Sequence, residues 1–123
     1  MPSNNKPAYS LYTNGMKYED ADLSVDFLSN YLNQLTSKSW DFMTLEPNEP
    51  VKGSVFFQVG APDAEIDYKM TVEISIFNSD RVEIYRYYTK DKGEILQMIV
   101  DYYEKQEIPN YNTWEDVSNE MNR

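Results

Sequence analysis

The chain contains neither cysteine nor histidine among its 123 residues. It therefore lacks the usual thiol nucleophile, the side chain that titrates near neutral pH, and the common zinc ligands. Serine–histidine, cysteine–histidine and Cys-x-x-Cys chemistries are excluded. Carboxylate, lysine or tyrosine chemistry stays open, as does a hard cation held by oxygen ligands. Glycine is scarce too, with four copies at Gly15, Gly53, Gly60 and Gly93, all far apart. A phosphate cradle needs several glycines together at a helix start, so nucleotide binding is not expected. Long apolar runs are missing, and the opening MPSNNKPAYSLY has no basic stretch followed by an apolar one. Neither a signal peptide nor a membrane span is expected.

Positive charge is also in short supply. Eleven lysines and arginines face 21 aspartates and glutamates, for a formal charge of −10 at pH 7. Such a chain is repelled by nucleic acid and by anionic membranes, and its natural partner is a basic surface on a protein. The absence of cysteine suits a reducing compartment, which makes the cytoplasm the expected location. Nothing in the composition calls for a cofactor, and the oligomeric state is left open.

Hydrophobic residues make up 41% and aromatic residues 15%, enough for a folded core and too many for a disordered acidic tail. At this length a single domain over residues 1–123 is expected, with residues 1–7 flexible. Tyr9 to Tyr18 reads as a hairpin about Asn14-Gly15, a dipeptide suited to a type I′ turn. From Asp22 the spacing turns helical, with Leu23, Phe27, Leu28, Tyr31, Leu32 and Leu35 on one stripe and Asp20, Asp22 or Ser24 able to cap it. Alternation then returns in Trp40, Phe42 and Thr44, ended by Pro47 and Pro50. It continues in Val55, Phe57 and Val59, and is longest in Ile66, Tyr68, Met70, Val72, Ile74 and Ile76.

A turn at Asn78-Ser79-Asp80 leads to a strand over Arg81 to Thr89, where Val82 and Ile84 oppose Tyr85 and Tyr87. If Val82 and Ile84 face the core, the two tyrosines stand on the nominally wet side of the sheet, either as a recognition surface or packed with Phe56 and Phe77 under the hairpin or the last helix as a second small core. A second helix starts at Asp91 with the reciprocal cap written D-x-x-E, carries Ile95, Met98, Ile99, Tyr102 and Tyr103, and is stopped by Pro109. A last short helix is expected from Thr113, with Trp114 and Val117 on one side. The expected architecture is α+β: an antiparallel meander of about four strands plus an N-terminal hairpin, two main helices packed on one face, and a short C-terminal helix.

Three constellations could carry function. Glu19, Asp20, Asp22 and Asp26 suggest a calcium loop, but counting from Asp20 puts Val25 where glycine is required and Tyr31 where the bidentate acid is required. Helix-start carboxylates explain them better. Asp63, Glu65 and Asp67 alternate and could bind a divalent ion in a hydrolase, although a solvated loop guarding a strand edge explains them better, since the sequence places no second carboxylate group against them. The third is a charged ridge. Asp101, Glu104 and Glu107 are spaced by three along the second helix, and Glu115 and Asp116 follow in the last segment. Tyr85, Tyr87 and Trp114 are the candidate aromatic anchors, because a tyrosine ringed by carboxylates suits arginine.

The acids also divide unevenly. Residues 91–123 hold eight acids and three bases, whereas residues 51–90 hold six and five. In size, charge and lack of a catalytic motif the chain resembles small inhibitors encoded by phages and mobile elements, anti-restriction and anti-CRISPR proteins among them, and immunity proteins that block nuclease toxins. That resemblance implies a non-catalytic acidic protein that inhibits or neutralises a partner by covering its basic surface, a nucleic-acid-binding groove being one such surface. The alternative expectations are an acidic polypeptide-binding chaperone or adaptor, using Tyr85, Tyr87 and Phe56, and the divalent-ion-dependent hydrolase.

Overall fold

The computed structural model describes residues 6–35 and 41–121. Residues 1–5 of the leader expected to be flexible, and Trp40, lie outside them. The chain is α+β. In order it forms β1 (Tyr9–Thr13), β2 (Met16–Tyr18), α1 (Val25–Gln34), β3 (Phe42–Pro47), β4 (Ser54–Asp63), β5 (Lys69–Asn78), β6 (Arg81–Thr89), α2 (Lys92–Glu104) and β7 (Glu115–Asp116). The strands make one antiparallel sheet in the order β2-β1-β3-β4-β5-β6-β7. The hairpin and the meander are thus fused, and seven strands are present where about six were expected.

The alternation in β5 decides which side is core. Met70, Val72 and Ile74 are at most 1% exposed, while Thr71 and Glu73 stay half-buried on the other side. Register carries this face across the sheet through Val59, Phe57, Met43, Leu45 and Leu11. Helix residues Leu28, Leu32, Ile95, Ile99 and Tyr102 join the same core. Ser24 starts α1 by accepting the Phe27 amide at 3.0 Å. This is the last of the three candidate caps, because Asp20 and Asp22 are taken up in a 3-10 turn.

Tyrosine placement corrects the reading of β6. Tyr85 pairs with Ile74 and Tyr87 with Val72, so both tyrosines share the core face and Val82, Ile84, Arg86 and Tyr88 take the other. Alternation separates the two sets correctly but does not say which is inside. The aliphatic set splits: Val82 is 41% exposed and its cross-strand neighbour Phe77 52%, whereas Ile84 is 2% exposed on the side away from the helices, where Val117 and Ser118 bond its backbone.

Turn chemistry moves as well. Only Gly15 of the Asn14-Gly15 pair has positive φ, at 99°, so that turn is not type I′. The type I′ signature falls at Lys52-Gly53, with φ of 51° and 84°, where Val51 and Ser54 exchange both backbone hydrogen bonds at 2.8 Å. Before β5, Asp67 and Tyr68 both have left-handed φ, of 62° and 60°. Two such residues cannot continue a strand, so Ile66 and Tyr68 do not belong to the long alternation.

The reciprocal cap at α2 is half as expected. Asp91 Oδ1 accepts the Glu94 amide at 3.1 Å, but the return bond runs through Thr89, whose hydroxyl accepts the Asp91 amide and donates to Glu94 Oε1 at 2.9 Å. The helix also ends before Pro109. Gln106 turns left-handed, with φ 54°, and the Lys105 and Glu107 amides both fold back to the Asp101 carbonyl. The helix expected from Thr113 is replaced by β7 and a 3-10 turn over Ser118–Met121. The open edge of β6 takes up this backbone: Val117 donates to the Ile84 carbonyl, and the Ile84 amide donates to Ser118 Oγ, both at 2.9 Å.

Two substitutions in β5 test the face assignment. Ile74→Ala removes a fully buried side chain and is expected to cost about 2–5 kcal/mol in urea unfolding, whereas Phe77→Ala should cost less than about 1 kcal/mol. Equal losses would contradict the assignment.

Candidate partner-binding surfaces

The sheet divides the expected site residues into two places. Asp101 and Glu104 lie in the last turn of α2, but Glu107 falls beyond its end, past the left-handed Gln106, so the three are not spaced along one helix as expected; each nonetheless meets an ammonium group. Asp101 Oδ1 is 3.6 Å from Lys105 Nζ, Glu104 Oε2 is 3.3 Å from Lys6 Nζ, and Glu107 Oε2 is 3.7 Å from Lys52 Nζ. Lys6 also sits 3.5 Å above the Tyr103 ring, which seats the leader on the helix from that residue onward. The ridge is therefore neutralised pair by pair in the isolated chain. Exposed pairs of this kind are worth about 0–1 kcal/mol each, so a partner's cation can replace the lysine at little cost.

Tyr85, Tyr87, Trp114, Glu115 and Asp116 gather instead at the β6–β7 edge. The segment leaving α2 returns along this edge and covers the two tyrosines. Tyr111 lies against Tyr85 with centroids 4.6 Å apart, and Trp114 stacks on Tyr87 at 5.2 Å and 14°. The aromatic anchors thus form a half-buried outer layer of the core on the helix side. Between this segment and α2 runs a groove of about 500 Å³ lined by Tyr87, Trp114, Met98, Pro109, Glu94, Gln97, Asn110 and Thr113. Glu94 is its one acidic lining residue, and Tyr87 donates its hydroxyl to Glu94 Oε2 at 2.8 Å.

Acceptance by carboxylates holds these hydroxyls protonated. The hydrogen bond to Glu83 pushes Tyr85 up to about 12, with partial desolvation adding to it. Tyr87 is raised by Glu94 in the same way. Burial raises Tyr9 to about 12 and moves Tyr102 further still. Asp116 moves the other way, lowered because the Ser118 hydroxyl and amide both donate to it.

The helix-free face carries a polar row that crosses six strands. Tyr12, Thr44, Gln58, Glu73, Arg86 and Glu115 are successive cross-strand partners. Thr44 donates to Gln58 at 2.7 Å, and Arg86 Nε donates to Glu73 at 2.7 Å in a pair that is mostly buried. This row is built to close on itself. At one end of β5 the expected divalent-ion group comes apart: Asp63 caps a 3-10 turn through the Glu65 amide, and Asp67 pairs with Lys90 at 3.0 Å. Among the described residues no three acidic side chains are placed to hold a metal ion.

A further acidic surface was not singled out in the sequence. Register brings the start of β1, the end of β3, the start of β4 and the β5–β6 turn to one end of the sheet, and the C-terminus of α2 reaches it through Tyr9 and Ser54. Asp22, Glu46, Glu49 and Asp80 are exposed there, and among the described residues none of the four has an ion-pair partner. They are scattered over nearly sixty positions of sequence, so no local pattern could have grouped them. Tyr111 and Gln97 were missed for a similar reason. Only the aromatic spacing of Tyr111 and Trp114 hinted that this segment covers something.

No helix of the described residues is long and apolar enough to cross a membrane. Compared with family models, with curated proteins and with solved structures, the chain finds no match.

The tyrosine shifts set an alkaline limit on stability. A hydroxyl whose folded pKa is raised contributes fully below its unfolded value near 10 and loses that contribution as pH rises through about 12. Tyrosinate absorbance should therefore show Tyr9, Tyr85, Tyr87 and Tyr102 protonated in the folded protein where the urea-unfolded chain has already ionised, with stability falling across that window. Coincident titration of folded and unfolded chains would contradict this.

Proposed function

We propose that the protein is a non-catalytic acidic binding protein that covers a basic, nucleic-acid-binding surface of another protein in the cytoplasm and so inhibits or neutralises it. The observation that carries this reading is the unneutralised rim of Asp22, Glu46, Glu49 and Asp80 at one end of the sheet. Carboxylates without counter-ions have no ion pair to break when a cationic surface arrives, only water to give up, and they steer its approach at long range. The α2 carbonyls that end at the same place add partial negative charge.

The ridge of Asp101, Glu104 and Glu107 continues this surface. Its lysines must first be displaced, so it contributes less attraction than its three charges suggest. Glu115 and Asp116 extend the acidic surface along the β7 edge, and Tyr87 and Trp114 border it with aromatic area. The middle of the helix-free face supports the reading less, because Glu73 and Arg86 already pair with each other there.

Affinity capture of the partner at low salt tests the proposal. Complex formation should weaken steeply toward 1 M salt, where the screening length falls from roughly 10 Å to about 3 Å. The combined Glu46→Lys, Glu49→Lys and Asp80→Lys variant should lose more affinity than the Asp101→Lys, Glu104→Lys and Glu107→Lys variant, both remaining folded by circular dichroism. Capture that is insensitive to salt and to both sets of reversals would refute it.

A further inference from the structure

The groove beside α2 has a chemistry that the rim does not. It joins two aromatic rings and a thioether to a single carboxylate, with amides along one wall. Asp91, Glu94, Gln97 and Asp101 follow one stripe of α2, and Gln97 Nε2 donates to Asp101 Oδ1 at 3.0 Å. No lysine or arginine lines the groove, and among the described residues neither Glu94 nor Asp91 has an ion-pair partner.

Glu94 is half-buried, yet what it meets is two neutral hydroxyls, Tyr87 at 2.8 Å and Thr89 at 2.9 Å. Each takes one lone-pair site of a different oxygen, and a carboxylate has about four. The carboxylate is thereby held in a fixed orientation with acceptor capacity left on both oxygens. Beside it, the Tyr87–Trp114 stack offers the ring surface on which a planar cation is stabilised. The volume of about 500 Å³ lies within the range of ligand clefts.

We infer that this groove receives an arginine side chain from the partner polypeptide, with the guanidinium against the Tyr87–Trp114 pair and donating to Glu94. Arginine fits better than lysine because its flat fork matches a fixed carboxylate and stacks on an aromatic face, whereas an ammonium is a compact, strongly hydrated charge. The inference rests on the reading of a basic protein partner and adds a specific anchor to a surface that otherwise attracts by charge alone. Such an anchor is what a charged rim needs in order to discriminate one basic protein from another.

The test uses a blocked tri-arginine peptide and its neutral counterpart, tri-citrulline, titrated into the ¹⁵N-labelled full chain at low salt. The arginine peptide should shift the Trp114 indole and the Gln97 and Asn110 side-chain amides, and should bind about tenfold tighter than citrulline. Glu94→Gln keeps an oxygen for the Tyr87 hydroxyl and should lower affinity by about tenfold. Gln97→Lys changes an exposed residue, leaves the fold intact, and should abolish the Trp114 shift. The triple reversal at Glu46, Glu49 and Asp80 should leave the groove shifts in place. Equal binding of the two peptides, no binding, or arginine binding untouched by both groove variants overturns the inference. In that last case the salt-dependent rim reading still stands, and it falls separately if partner capture ignores salt.

Discussion

Everything on the outer side of this protein depends on how Tyr102 ties α2 to the sheet. The side chain is fully buried, its hydroxyl shares a hydrogen bond with Ser54 Oγ at 3.0 Å, and its own carbonyl accepts the Tyr9 hydroxyl at 2.7 Å. Its ring lies 5.3 Å from Phe57 and 6.1 Å from Tyr9. One residue thus fixes the helix against β1 and β4 at once. Buried hydroxyls tolerate this only when paired, and here each one is. With the C-terminal turn of α2 pinned, the first turn falls over β6, where Glu94 meets Tyr87 and Thr89, and the following segment is delivered back along the β6 edge.

The same docking sorts the charges. Lys6, Lys52 and Lys105 come from three separate parts of the chain and converge on the end of α2, where they offset its three carboxylates. Asp22, Glu46, Glu49 and Asp80, which no lysine among the described residues reaches, remain at the adjoining sheet end. Electrostatic surface here is a product of topology: the density of acids along the chain predicts the total, and strand register decides which are left over. A ridge inferred from helical spacing and a rim assembled from three separate stretches of chain carry similar formal charge, yet they differ in how much of it a partner experiences.

The helix-free face shows the opposite solution. A broad antiparallel sheet covered on one side has polar groups to satisfy on the other, and the row from Tyr12 to Glu115 does so by pairing across strands. Glu73 and Arg86 face each other because the β5–β6 turn sets their register, and neither is adjacent to the other in sequence. Polar alternation in these strands therefore marks groups that answer one another across the sheet at Thr44–Gln58 and Glu73–Arg86, and leaves open charge only at its Glu115 end.

Much of the local structure was legible from residue order alone. The helix stripe of Leu28 and Leu32, the Ser24 cap, the Asp91 cap and the core alternation of Met70 to Ile76 follow from periodicity and from backbone amides that need acceptors, both of which are short-range physics. So does the exclusion of thiol and imidazole chemistry, since a residue that is absent cannot act in any fold. What only the tertiary structure decided involves choices between equivalent local options. Alternation in β6 is the same whichever side faces the helices, and the pairing with Val72 and Ile74 turned Tyr85 and Tyr87 to that side. The stretch after Thr113 could have been helix, and the open edge of β6 made it strand. The −10 belongs to the sequence, but which carboxylates meet a lysine and which are left for a partner depends on distances between residues remote in the chain, which only the packed sheet defines.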